Sequence, residues 1–290
     1  MKNLIAVLLA LTASCLRAQD VLPLWQGEAP FSKPNALEEY IAESWGVPCA
    51  NNVTRPTLSV HAARGANSGK AVVVLPGGGY QRESIIAEGR EIAEYLAARG
   101  VTSAVLKYRL PLPEASDQPQ LLPLTDTRRA LALMRSLAGR YGFDASKIGV
   151  LGFSAGGHLA TAVSVLPAKS ADETPDFSVL VYAVTTLSQA NQDWLEETLF
   201  HRPMTTEERR QYSLVDHVST TSPPAFLVHA YDDDLVPIEE SRGYAEALTA
   251  AGREVETHFF AKGGHGFGPG RIEDGTAQWL GLLVDWIERQ

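Results

Sequence analysis

The sequence predicts an α/β fold: a mostly parallel, twisted β-sheet covered by helices on both faces. Three observations carry that expectation. Short apolar runs alternate with segments of helical period from residue 57 to residue 290. One run, Ile148-Gly149-Val150-Leu151, feeds into Gly152-Phe153-Ser154-Ala155-Gly156 and then into the helix-compatible Gly157-His158-Leu159-Ala160, a strand, G-x-S-x-G, helix passage. An Asp-rich loop and a Gly-His loop each lie directly behind a later apolar run, which collects their polar groups at one edge of the sheet.

Taken in order, residues 19–56 are rich in Pro, Asn and Trp and read as an extended arm without a helical or strand period. Thr57 to His61 and Ala71 to Leu75 are short β-branched runs around a Gly-containing turn, which suggests a hairpin. A helix follows through Ile85, Ile92, Tyr95 and Leu96, with Gly100 as its stop, and Val101 to Tyr108 is the next strand. Asp126 is placed to cap a helix whose apolar face is Ala130, Leu131, Met134, Leu137, Ala138 and Tyr141. After the serine-bearing passage come strands over Phe177 to Val184, Ala225 to Tyr231 and Val255 to Ala261. Helices follow over Glu239 to Ala251 and Gln278 to Arg289. The stretch 185–224 exceeds an ordinary connection and reads either as a small cap over the sheet edge or as a peripheral helix pair.

Composition bounds the rest. A chain of 290 residues with 45% hydrophobic and 20% charged side chains has ample core for one large domain, residues 57–290. A formal net charge of −9 argues against nucleic acid and against docking on an anionic membrane. Lys2, the apolar run Leu4 to Leu11 and Leu16-Arg17-Ala18 before Gln19 mark residues 1–18 as a signal peptide, and the protein as secreted or periplasmic. The run is too short to span a bilayer. The competing reading is a lipoprotein signal, Thr12-Ala13-Ser14-Cys15, in which a threonine stands where an aliphatic residue is usual. Cys49 is then the single cysteine of the mature chain, so no disulfide framework is expected.

A serine hydroxyl is a poor nucleophile at neutral pH and needs a base, which in turn needs an orienting acid. In the G-x-S-x-G turn a side chain at Gly152 or Gly156 would collide with the neighbouring strand or helix, and Ser154 would stand at a helix N-terminus facing developing negative charge. Of the histidines after it, only His265 sits in a glycine-rich loop behind a strand, Lys262-Gly263-Gly264-His265-Gly266. His158 reads as a buried structural residue, His229 and His258 as strand residues, and His201 and His217 as positions within the 185–224 excursion. The acid is expected in Asp232-Asp233-Asp234, with Asp233 the best placed, Asp232 the fallback and Asp234 a turn cap. Three adjacent carboxylates point in divergent directions and lack the spacing of a calcium loop, so no metal is expected. Two N–H donors are needed for an oxyanion: the amide of Ala155, and one from Pro76-Gly77-Gly78-Gly79-Tyr80 behind the run Val72 to Leu75. No G-K-[ST] follows these glycines, which disfavours a phosphate loop.

These pieces together resemble the α/β-hydrolase superfamily, and more narrowly its secreted carbohydrate-esterase branch of acetylxylan and feruloyl esterase-like proteins. The matching residues are LPGGGY at 75–80, Leu106 to Pro111, GFSAGGH at 152–158, Pro223 to His229 and GGHGFG at 263–268. The resemblance implies acyl-ester hydrolysis through Ser154, with His265 as base, Asp233 as its orienter, and Ala155 with Gly78 or Gly79 as oxyanion donors. No cofactor is implied. It implies a small-molecule or polysaccharide ester as substrate, with Tyr80 and Trp194 as candidate contacts. Trp25, Trp45 and Trp194 are each open to a sugar-stacking or a core role. Pro76 stands where lipase-like relatives usually carry a histidine. Glycosidic cleavage is disfavoured, since it needs two carboxylates across a cleft. A prolyl-oligopeptidase-type peptidase shares the order Ser, Asp, His but usually carries a propeller for which this chain has no room. A silent binding module on the same scaffold is the third reading.

Overall fold

A computed structural model of the protein describes residues 19–290; the expected signal peptide and the alternative anchor at Cys15 lie outside the described residues. Strands β1 (Asp20–Pro23), β4 (Thr57–His61), β5 (Ala71–Leu75), β6 (Thr102–Lys107), β7 (Ile148–Phe153), β8 (Phe177–Val181), β9 (Ala225–Ala230) and β10 (Val255–Phe260) form one sheet. Its spatial order is β1-β4-β6-β5-β7-β8-β9-β10. From β6 to β10 all neighbours are parallel, while β1 and β4 add an antiparallel edge. Strand β5, Ala-Val-Val-Val-Leu, is buried throughout. Its odd-numbered residues Ala71, Val73 and Leu75 join one core layer, and Val72 and Val74 join the other. The first layer is closed by α2 (Leu122–Tyr141), α3 (Ser154–Val165) and α6 (Glu239–Ala250), the second by α1 (Glu91–Ala97) and α7 (Trp279–Glu288). A continuous apolar strand therefore reports cover on both faces.

Three expectations are corrected. The arm carries strands: β1, and a separate hairpin of β2 (Tyr40–Ser44) and β3 (Val47–Asn51). Strands β4 and β5 do not pair as a hairpin, because β6 lies between them, antiparallel to β4 and parallel to β5. Strand β4 alternates half-buried and buried residues, as suits the antiparallel margin, whereas β5 demands a central position. Asp126 does not cap α2, which begins at Leu122. Instead it is buried inside the helix, 2.7 Å from the Arg109 guanidinium, and it also accepts hydrogen bonds from Arg109 N–H (2.9 Å) and Trp25 Nε1–H (2.8 Å). Arg109 in turn donates to Pro30 O and Ser32 Oγ, which fastens the arm to the domain.

The 185–224 stretch is helical: α4 (Gln189–Leu195), a π-helical turn Glu196–Phe200, α5 (Thr206–Tyr212) and a short 3₁₀ turn Leu214–His217. A capping box closes the N-terminus of α5, with Thr205 accepting from Glu208 N–H and Glu208 accepting from Thr205 N–H. Leu195, Leu199, Phe200, Tyr212 and Leu214 are buried in the layer that holds α3. Among the described residues no helix is long and apolar enough to cross a membrane.

Candidate active site

Ser154, Asp233, His265 and the glycine run all lie behind the C-terminal ends of parallel strands, where α/β sheets bind ligands. Strand β7 ends at Phe153, and Ser154 opens α3 with φ of 50°, a left-handed conformation that a serine adopts only at a cost. The turn is tight enough to exclude side chains on either flank. A Cβ on Gly156 would stand 2.2 Å from Leu75 O, and one on Gly152 2.1 Å from Gly156 O.

The hydroxyl of Ser154 lies 2.9 Å from His265 Nε2, and His265 Nδ1 lies 2.8 Å from Asp233 Oδ2. An ionised carboxylate only accepts, so Nδ1 carries the proton and Nε2 is left to accept from Ser154. Burial pushes the Asp233 carboxyl up, but bonds from His229 and His265 and the Val236 amide outweigh it and hold the group well below the usual carboxylate range. Its Oδ1 accepts from Leu235 N–H (3.0 Å) and Val236 N–H (2.8 Å). The turn-capping role expected of Asp234 thus belongs to Asp233. Asp232 does a separate job: its Oδ1 accepts from Gly264 N–H at 2.7 Å and fixes the loop that carries His265.

His229 is more than a strand residue. Its Nε2 lies 2.9 Å from Val236 O and 3.2 Å from Asp233 Oδ2, and its Nδ1 lies 2.8 Å from Ser241 Oγ. A carbonyl can only accept, so Nε2 carries the hydrogen and the imidazole braces the acid from behind. His158 is buried with Nδ1 2.7 Å from the Tyr80 hydroxyl, and burial lowers its pKa to about 3, so it stays neutral. His201 and His217 bond the carbonyls of Pro111 and Arg210, and His258 bonds Glu256; none of the three reaches the serine.

In the glycine run, Gly77 is fully engaged: its N–H donates to Glu88 Oε2 (2.8 Å) and its carbonyl accepts from Ser84 N–H (2.9 Å). The amides of Gly78 (φ 139°) and Gly79 (φ 65°) donate to no protein group among the described residues. The amide of Ala155, in the first turn of α3, is likewise without a partner in its helix. Trp194 overhangs the run, its Nε1 4.0 Å from where a Gly79 Cβ would stand. Tyr80 departs from its expected part as a direct substrate contact. Its side chain is 2% exposed and its hydroxyl is taken by His158, so its ring (stacked on Trp194 at 5.5 Å) supports the indole from beneath.

Sequence reasoning missed Glu88 and Tyr182. Strand β8 stops at Val181, three residues short of the expected end, and Tyr182 turns to φ of 39°. Its ring lies 4.9 Å from that of His265, and its hydroxyl donates to Glu88 Oε1 (2.7 Å) while accepting from Gly268 N–H (3.0 Å). Glu88 is fully buried on a π-helical turn, Ile85–Arg90, and burial raises its pKa. One carboxylate therefore ties together the glycine run, β8 and the histidine loop. Among the described residues no three His, Cys, Asp or Glu side chains converge on a metal-sized site.

Comparison with known proteins gives the same architecture. The crystal structure of an acetyl ester-xyloside bifunctional hydrolase from Caldicellulosiruptor lactoaceticus superposes with a TM-score of 0.77 at 29% identity, covering 96% of this chain and 98% of that one. A propionate-bound thermophilic esterase from Thermogutta terrifontis gives 0.66 at 28% identity over 89% and 93%. In sequence, an acetylxylan esterase of Xylanibacter ruminicola is 30% identical over 226 residues, 76% of this chain and 46% of the relative. The chain thus spans under half the length of that curated relative. Residues 60–248 match the BD-FAE family model. That match takes in the glycine run, the serine elbow and the acid loop on a sheet of this topology, and the chain accordingly belongs to the BD-FAE family of α/β-hydrolase fold proteins.

Proposed function

We infer that this protein is a serine carboxylester hydrolase that removes acetyl groups from plant-type polysaccharide, exported by the segment 1–18. The observation that carries the reading is the unbroken line Ser154 Oγ, His265 Nε2, His265 Nδ1, Asp233 Oδ2, at 2.9 and 2.8 Å. Ser154 attacks the ester carbonyl as its proton passes to His265, and Asp233 stabilises the imidazolium that forms. The amides of Ala155 and of Gly78 or Gly79 hold the oxyanion, each donor contributing about 3 kcal/mol. The C–O bond to the sugar then breaks, and the departing alcohol takes the proton from His265. Water attacks the acyl-serine, gives its own proton to His265, and acetate leaves as Ser154 recovers its hydrogen. Trp194 above Gly79 narrows the acyl side and favours short acyl groups over bulky aromatic ones. The helical excursion 185–224, which carries Trp194, acts as a small cap.

The names of the relatives support the ester chemistry and the acetylated glycan: an acetylxylan esterase, and an endo-1,4-beta-xylanase B of Butyrivibrio fibrisolvens that is 30% identical over 204 residues. Ser154→Ala is expected to lower kcat on p-nitrophenyl acetate at least about a thousandfold with an unchanged circular dichroism spectrum. Acetate release from acetylated xylan should exceed ferulate release from feruloylated xylan and amide cleavage of proline peptides. An active Ser154→Ala protein, or a preference for peptides, contradicts the reading.

A further inference from the structure

The β2–β3 hairpin turns through Trp45 and Gly46, two residues with φ of 54° and 77° between the paired Ser44 and Val47. A two-residue turn with both φ positive favours Asn, Asp or Gly at its first position, because a side chain there is strained. This chain instead places its largest side chain at that point and leaves it 69% exposed. Core packing does not explain the choice. A residue kept in a costly conformation and facing water points to work done at the surface.

The surroundings of the ring say which work. Arg82 lies with its guanidinium 4.8 Å from the centroid of Trp45, and its Nη1 donates to Ser44 Oγ at 2.9 Å. That is the guanidinium's single hydrogen bond among the described residues, and the buried Nε has no acceptor. The same Arg82 belongs to the glycine run: its N–H donates to Gly78 O, and its carbonyl O lies 2.1 Å from where a Gly78 Cβ would stand. Gly77, one residue back, abuts Ser154, whose Cβ is 3.1 Å from a Gly77 Cβ position. Arg82 thus links Trp45 to the glycine run, and the glycine run abuts Ser154. A flat indole beside the Nη2–H donors of Arg82, unbonded among the described residues, suits a pyranose ring, which has an apolar face and a hydroxyl-bearing edge.

We propose that Trp45 and Arg82 form a glycan subsite that holds a sugar ring of the polymer a few units from the ester-bearing sugar at Ser154. The proposal rests on the esterase reading for its substrate but makes a separate claim about binding. Trp45→Asn is the discriminating variant, because asparagine suits the turn and should leave Tm equal or higher. Its kcat/KM on acetylated xylan should fall about tenfold, through KM, and at least fivefold more than on p-nitrophenyl acetate, which carries no glycan. In parallel, unacetylated xylohexaose titrated into Ser154→Ala protein should bind, and should bind at least fivefold more weakly to Ser154→Ala/Trp45→Asn. Equal losses on the polymer and the small ester, or no loss on the polymer, would overturn the subsite. So would xylohexaose that fails to bind Ser154→Ala or binds both proteins alike. In each case wild-type hydrolysis of p-nitrophenyl acetate stands as the independent check on the ester chemistry.

Discussion

Within the site, the residues differ in how plainly they announce themselves. Ser154 is legible because its turn has a local signature, and His265 because glycines surround it behind a strand. Asp233 needed a choice among three neighbours, which the order of residues narrowed and the contacts to His265 and Val236 fix in space. Glu88 had no signal, since an acid at helical spacing reads as a solvated charge until three distant segments close over it. Both its oxygens accept hydrogen bonds, from Gly77 N–H and from the Tyr182 hydroxyl, so in Glu88→Gln the amide oxygen can serve only one of them and the Tyr182 hydroxyl must reverse its bond to receive the amide N–H. We expect kcat on p-nitrophenyl acetate to fall about ten- to a hundredfold, with KM less affected. Stability should respond in the opposite sense with pH. Burial raises the native pKa of Glu88 above 4.5, so native protein keeps a proton that unfolded chain has released. The wild type then loses stability as pH rises from about 4.5 through the native value, and the glutamine variant does not. Melting curves at pH 5 and pH 8 should show the Tm difference moving toward the variant; a constant difference would refute the buried-charge account.

Among the elements, the elbow strand, its helix and the central strands were recoverable because apolar runs and period carry that information. The β2–β3 hairpin was not: Pro48 interrupts β3, and Tyr40 and Ile41, adjacent in β2, are both exposed, so no alternation marks the strand. The order of β4, β6 and β5 also escaped, since local turn chemistry says nothing about a strand inserted later between them. Helix α2 shows a polar residue doing unexpected work. Asp126 and Arg109 are both buried, and their pair joins α2 to the arm through Pro30, Ser32 and Trp25. Removing one charge strands the other in the core, at about 3 to 5 kcal/mol. Asp126→Asn is therefore expected to lower Tm by roughly 10 °C in calorimetry. A shift under about 2 °C would show that the arm is held by other means.

As a whole molecule, the protein is a sheet whose C-terminal edge gathers groups far apart in the chain. Strand β5 brings the glycine run, β7 the serine, β8 Tyr182, β9 the acid and β10 the histidine loop. Each loop is pinned by a neighbour: Asp232 holds Gly264, Glu88 holds Gly77, and Tyr182 holds Gly268. Preorganisation of this kind is what the proposed ester chemistry requires, because donors and base then need not reorient as charge develops. The central claim is that His265 activates Ser154 in this assembled state. It is tested most directly by reacting wild-type and His265→Ala proteins with a fluorophosphonate and mapping the adduct by mass spectrometry. The account requires a single adduct on Ser154 in the wild type and labelling at least about a hundredfold slower in the variant. An adduct on another residue, or equal rates in the two proteins, would contradict it.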